Sequence, residues 1–257
     1  MKIRICHLYP DAMNLYGDRG NIISIAKRCQ WRDIKVEVVN VNLGDSADFN
    51  DVDIIFFGGG QDRSQVLASR DLIAKGPAIT DAIESDVVAL TICGGYQLFG
   101  KYFKTGEGTE IPGIGVYDAI TISSNKRMIG NISVDCRQTS LSWPSTSSFS
   151  QLGEAGVVLV GFENHSGKTY LGERCGYLGH VIRGYGNDDT GHLEGCRYLR
   201  AFGTYLHGPL LPKNPWFTDY LIAMALQHRY GTEHELKVLD DTIENAAHSV
   251  AINRTYR

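Results

Sequence analysis

The sequence predicts an α/β fold built on a mostly parallel central sheet with an added antiparallel part. Three observations predict it. The continuous apolar runs "DIIFF" (Asp53–Phe57) and "VVALTI" (Val87–Ile92) suit strands covered on both faces. A long helical pattern lies between them, and each run ends in a glycine-rich loop, "GGGQD" and "CGGYQ". Strand–helix–strand units of this length call for right-handed crossovers and a doubly wound sheet.

Before these runs, "KIRICHLY" (Lys2–Tyr9) and "KVEVVNV" (Lys35–Val41) read as strands, separated by the helical spacing of Ile22, Ile23, Ile25 and Ala26. The stretch from Ser64 to Ser85 reads as a helix broken at Gly76-Pro77. "GIGVYDAITI", "MIGNISVDC" and "GVVLVGF" then look like successive strands without long helices, which makes this part mixed or antiparallel. "QTSLSWPSTSSFSQ" (Gln138–Gln151) and "GYGNDDTGHLEGC" (Gly184–Cys196) read as surface excursions between strands. After "YLRAFGTYL" (Tyr198–Leu206), a helix starts with Pro215 at its first position and stops at Gly231. A last helix spans about 236–252, around Leu239, Ile243, Ala247 and Val250. Residues 1–257 are expected to form one domain, with its core over about 2–231.

The chain has 257 residues, 43% of them hydrophobic, enough for a sizeable core. A net charge of −4 without any Lys/Arg block argues against nucleic acid as a partner. The mean hydropathy of −0.17 is that of a soluble protein. "MKIRICHLYPDAMN" reads as a strand and turn, not a signal peptide, and no apolar run approaches the ~20 residues of a membrane helix. Cys6, Cys29, Cys93, Cys136, Cys175 and Cys196 are scattered with no C-x-x-C pair. That excludes a zinc knuckle on spacing, gives no metal site, and fits a reducing cytoplasm.

Binding sites in such sheets form outside the carboxyl ends of the strands, so the loops after "DIIFF" and "VVALTI" face each other there. Cys93 stands at a sharp strand-to-helix turn, with Gly94 and Gly95 letting the backbone bend. A helix N-terminus favours a thiolate, so the position suits a nucleophile; the alternative is a structural cysteine in a tight turn. The N–H of Gly94 and one from Gly58–Gly60 are candidates for an oxyanion hole. Alone, "GGG" fits a tight turn or a phosphate loop equally well, although the G-x-G-x-x-G pattern is absent. His207 in "GTYLHGPLL" also follows a strand and precedes a glycine, which suits a general base at the same edge. On its own it fits a surface histidine just as well.

At these residues the sequence resembles the class I, triad-type glutamine amidotransferases, through "TICGGYQ", "FGGGQD" and "YLHGP". The lack of an acid two residues after His207 points to the cobyric acid synthase-like branch. "LYPDAMNLYGDRGN", "GGGQDRSQ", "NKRMIGN" and "GFENHSGKTYLG" are similar to the glutaminase subunits of lipid II isoglutaminyl synthases. The resemblance implies a three-layer, flavodoxin-like fold and hydrolysis of glutamine to glutamate and ammonia. It implies Cys93 as nucleophile, His207 as base, Gly60 and Gly94 as the oxyanion hole, and Arg127 as a glutamine-binding residue. Gly59, Gln97, Asn164 and His165 are further glutamine-site candidates; Asn164 and His165 line the pocket or hold its loop. A bidentate pair with the substrate α-carboxylate suits Arg127, while a solvated surface arginine is the plain alternative.

The resemblance also implies an ATP- and Mg-dependent, Mur-ligase-like partner that amidates the D-glutamate α-carboxyl of the lipid II stem peptide. No cofactor is expected in this chain, and work at the inner face of the cell membrane is expected through the partner. Two other readings stay open: a glutaminase serving a corrinoid-type acceptor, and a non-catalytic scaffold. Two positions depart from the family pattern. Thr91 stands where many members have glycine, and Pro209 stands where an acid would orient His207. The missing acid is therefore expected from the synthetase partner, with an Asp or Glu of this chain, such as Glu163, as the alternative.

Overall fold

A computed structural model of the chain describes residues 1–137 and 157–255. The first half alternates strands and helices in the order β1 (Lys2–Leu8), α1 (Arg19–Gln30), β2 (Lys35–Val41), β3 (Ile54–Phe57), α2 (Asp62–Glu84), β4 (Val88–Ile92) and α3 (Gly94–Phe99). Then come β5 (Tyr102–Lys104), β6 (Glu110–Pro112), β7 (Ala119–Asp135), β8 (Val158–Leu171) and β9 (Gly179–Arg183). The chain ends with β10 (Leu193–Glu194), β11 (Cys196–Tyr198), β12 (Ala201–Thr204), α4 (Pro215–Tyr230) and α5 (Thr242–Thr255).

The strands form two sheets. One is six-stranded, in the order β11-β12-β4-β3-β1-β2, and all its neighbours are parallel except β11 with β12. The wholly buried patterns of β3, β4 and β12 are those of strands covered on both faces. The second sheet runs β10-β9-β7-β5-β6 with β8 on β7, and it is antiparallel apart from the β5–β7 pair. Register sets the geometry of the functional edge. Leu8 pairs with Phe57, Phe57 with Thr91, and Ile92 with Thr204, so four parallel strands end level with one another. The loops that leave them carry Asp18, Gly58–Gly60, Cys93 and His207 to one edge.

Several boundaries differ from the sequence expectation for physical reasons. The expected break at Gly76-Pro77 is absent, and α2 runs unbroken through Pro77. The carbonyl this proline deprives of a helical partner belongs to Ile73, an exposed residue of the helix. Gly76 is there for packing: a Cβ would come within 2.9 Å of Ile114. The two strands expected over "GIGVYDAITI" and "MIGNISVDC" are one long strand, β7, with an irregularity between Ser123 and Met128. The last helix begins at Thr242 rather than near 236, where the Asp240 carboxylate accepts from the Thr242 N–H and hydroxyl. The 184–196 excursion ends by pairing β10 with β9. The Gln138–Gln151 loop lies outside the described residues.

A partly buried ion-pair cluster ties α1 to α4 and to the start of α5. Arg28 and Arg32 of α1 both bond Asp219 of α4, and Arg28 also bonds Asp241, just before α5. Among the described residues no helix is long and apolar enough to cross a membrane.

Candidate active site

The turn after β4 is strained in the manner expected of a nucleophile. Cys93 has φ 49° and ψ −104°, a conformation that L residues other than glycine rarely adopt. It is held from both sides, its N–H donating to Thr204 O at 2.8 Å and its carbonyl accepting from Gln97 N at 2.9 Å. Gly95 has to be glycine here, because a Cβ would lie 2.5 Å from Phe57 O. Thr91 fits where glycine is usual because its hydroxyl turns inward to Tyr117 Oη at 3.0 Å.

His207 is fully buried beside this elbow. Its backbone is clamped to β8 by reciprocal bonds with Phe162, at 3.1 and 2.8 Å. Its Nδ1 lies 3.2 Å from Asp18 Oδ1, and Asp18 is likewise fully buried. The other Asp18 oxygen accepts from Gly59 N at 2.8 Å. His207 Nε2 is buried with no hydrogen-bond partner among the described residues. Burial opposes charge on the ring, but Cys93 and Asp18 beside it outweigh that and push the imidazole up to about 10. A histidine held protonated between a sulfur and a carboxylate can donate a proton to a leaving amine.

Within this chain the carboxylate that reaches His207 is that of Asp18, not of Glu163. Glu163 points elsewhere, accepting from Tyr185 N and Gly186 N. Pro209 does not orient the imidazole; it packs on Gly20, where a Cβ would meet Pro209 Cγ at 2.5 Å. Asn21 Oδ1 accepts from Leu211 N at 2.8 Å. Asp18, Gly20 and Asn21 of "DRGN" thus grip alternate residues of "HGPLL", at His207, Pro209 and Leu211. The sequence signal was present in "LYGDRGN", but an acid 189 residues from its histidine has no local spacing that reveals it.

The glycine loop is crowded. A Cβ on Gly59 would come 2.7 Å from His207 Cε1 and 3.4 Å from Cys93 Cβ. The Gly59 N–H is committed to Asp18, so its contribution is to support the histidine, whereas the sequence had suggested glutamine binding. Met13 lies against Gly60 and Gly94, bringing the two proposed oxyanion donors onto one buried side chain. Gln65, which sequence reasoning missed, donates to Gly60 O at 3.1 Å and fixes that peptide.

Strand alternation sorts the "FENH" residues. Asn164 faces outward with Phe162, while Glu163 and His165 face the interior. Asn164 Oδ1 accepts from Arg127 Nε, and its Nδ2 donates to Tyr16 Oη, each at 2.5 Å. The Tyr16 ring meets His207 edge-on at 5.0 Å between centroids. Arg127 is thereby linked to the rim of the dyad. His165 is not brought there. It stacks on Tyr205 at 3.6 Å with Nδ1 2.8 Å from Gly167 O, a buried role that its position in the motif did not reveal. Gln97 is buried as well, donating to Tyr205 Oη at 3.1 Å. No group of three or more His, Cys, Asp or Glu residues that could hold a metal occurs among the described residues.

Residues 4–215 match the family described as the CobB/CobQ-like glutamine amidotransferase domain. The chain belongs to that family. Two relatives resemble this amidotransferase along nearly its whole length. The lipid II isoglutaminyl synthase (glutamine-hydrolyzing) subunit GatD of Staphylococcus aureus strain N315 is 42% identical, covering 100% of this chain and 97% of its own. The subunit of the same name from Streptococcus pneumoniae R6 is 37% identical, covering 94% and 87%. In fold, the CobB/CobQ-like chain is similar to the crystal structure of a glutamine amidotransferase from Thermotoga maritima. That match has a TM-score of 0.52 at 14% identity and covers 98% of this chain and 94% of the other.

Proposed function

We propose that this chain is the glutamine-hydrolysing subunit of a lipid II isoglutaminyl synthase. The observation that carries the chemistry is the buried Cys93–His207–Asp18 arrangement at a strained strand-to-helix elbow. The full-length similarity to two GatD subunits supports the choice of complex. In this reading Arg127 holds the glutamine α-carboxylate. The Cys93 thiolate attacks the side-chain amide carbon, and the oxyanion that forms takes the N–H groups of Gly60 and Gly94, each worth roughly 3 kcal/mol in the transition state. His207 delivers its proton to the nitrogen as the C–N bond breaks, releasing ammonia and leaving a thioester on Cys93. Water then attacks the thioester, His207 takes a proton from it, and glutamate leaves as the thiolate re-forms.

Ammonia would pass to a MurT-like, Mur-ligase-type partner that carries ATP and Mg and amidates the D-glutamate α-carboxyl of lipid II. No cofactor is assigned to this chain. Work in the cytoplasm, at the inner face of the membrane, follows from the lipid-linked acceptor of the partner.

The test is to purify the chain with its synthetase partner and follow glutamine, glutamate and ammonia with and without ATP and lipid II. Glutamate release that Cys93→Ala abolishes, with amidated lipid II forming only in the complete mixture, is the expected result. Glutaminase activity surviving in a folded Cys93→Ala variant removes the nucleophile assignment, and turnover without lipid II amidation removes the acceptor.

A further inference from the structure

We propose that Tyr16 is a positioning residue of the glutamine site, holding the arginine that binds the substrate carboxylate in register with the catalytic histidine. The inference rests on the reading of Arg127 given above.

Tyr16 lies in the loop between β1 and α1, at φ 54° and ψ 24°, a left-handed conformation uncommon for an aromatic residue. It is 45% exposed although its ring touches the buried His207, so burial of the ring does not account for the conformation. Other contacts hold the loop. Leu15 N donates to Gly59 O at 3.1 Å, and Asn14 Oδ1 accepts from Arg19 N at 2.8 Å. The ring then stands edge-on to His207, with Phe162 at 6.4 Å.

From that perch the hydroxyl accepts from Asn164 Nδ2, and Asn164 Oδ1 accepts from Arg127 Nε. Each group fixes the next. An arginine is a fork for a carboxylate only when its plane is fixed, and the Nε bond fixes it while leaving the Nη1–Nη2 face to the substrate. An amide with both ends bonded cannot flip, so Asn164 transmits the position of Tyr16 to Arg127. The distance from α-carboxylate to amide carbon is set by the substrate itself. An arginine displaced from the histidine therefore loses its grip on the α-carboxylate when the amide carbon sits at Cys93, and glutamine is bound more weakly.

The test uses the full chain in complex with its synthetase partner, and two reagents for Cys93. One is a diazoketone analogue of glutamine that keeps the α-carboxylate; the other is iodoacetamide, which lacks it. Tyr16→Phe keeps the ring on His207 and removes only the hydroxyl. It is expected to raise the glutamine KM and slow the diazoketone by about fivefold, the worth of one hydrogen bond. Its kcat should stay within about twofold of wild type, and iodoacetamide should react at the wild-type rate. Asn164→Ala should raise KM at least as much, and adding Tyr16→Phe to it should change nothing further. Equal slowing of both reagents, or additive effects in the double variant, overturns the inference. Wild-type kinetics in Tyr16→Phe overturns it alone. Wild type that reacts with iodoacetamide but ignores the diazoketone and glutamine overturns the glutaminase reading too.

Discussion

Asp18 Oδ1 stands 3.2 Å from His207 Nδ1, and neither side chain is exposed. A buried carboxylate on Nδ1 fixes the tautomer that leaves Nε2 free for the sulfur, and it stabilises the imidazolium. With Oδ2 bonded to Gly59 N, the carboxylate cannot swing away without also freeing the glycine loop. The carboxylate beside His207 is thus supplied by the same chain, from the loop before α1.

Asp18→Asn is expected to lower kcat for glutamine roughly a hundredfold or more, because an amide cannot balance the imidazolium charge. The side chain keeps its volume, so thermal unfolding should show a folded protein. Turnover near wild type in the isolated variant, with loss only on mutating a partner acid, would falsify the role of Asp18.

A methyl group at position 59 should be costly to catalysis. Gly59→Ala puts a Cβ 2.7 Å from His207 Cε1, and neither the buried ring nor the elbow has room to yield. The expected outcome is a fall in kcat that exceeds any rise in KM, measured by steady-state glutamine hydrolysis. A variant with unchanged kcat would show that the glycine loop moves freely.

The parallel sheet was legible because its strands are continuous apolar runs, and Cys93 was legible because two glycines follow it directly. Those signals are local. Asp18 was missed because its partner is distant in sequence, and the proline after His207 suggested a gap that Gly20 explains only in three dimensions. The motif left open whether His165 lines the pocket or holds its loop, and strand alternation decides it, since neighbours on a strand face opposite ways. Pro77 misled in the other direction, since α2 runs through it, four residues after the exposed Ile73.

Arg127 gives a kinetic test of carboxylate recognition. Its Nε is taken by Asn164 Oδ1, so the remaining face is planar and aimed by that bond. Arg127→Ala is expected to raise the glutamine KM tenfold or more, on the order of a charge-assisted bond. Arg127→Lys should recover little, because an ammonium has neither the fork nor the planar Nε contact. Full recovery with lysine, read from KM, would show that only the charge matters.

The last prediction concerns Glu194, wholly buried at the end of β10. Its Oε1 accepts from Thr204 Oγ1 and Tyr205 N, both at 2.7 Å. Burial raises its carboxyl to about 7, against those two hydrogen bonds and helped by the charge of Glu163. An acid with a higher pKa folded than unfolded binds more protons in the native state. Its contribution to stability is complete below about pH 4.5 and is lost as pH rises through about 7. Moving a carboxyl from 4.5 to about 7 corresponds to about 3 kcal/mol. Glu194→Gln keeps the Oε1 acceptor and cannot ionise. Urea midpoints for both proteins should therefore converge near pH 5 and separate toward pH 8, with the glutamine variant the more stable there. The difference between the two proteins cancels titrations they share. A difference that stays constant from pH 5 to 8 would mean that Glu194 ionises as readily in the folded chain as in the unfolded one.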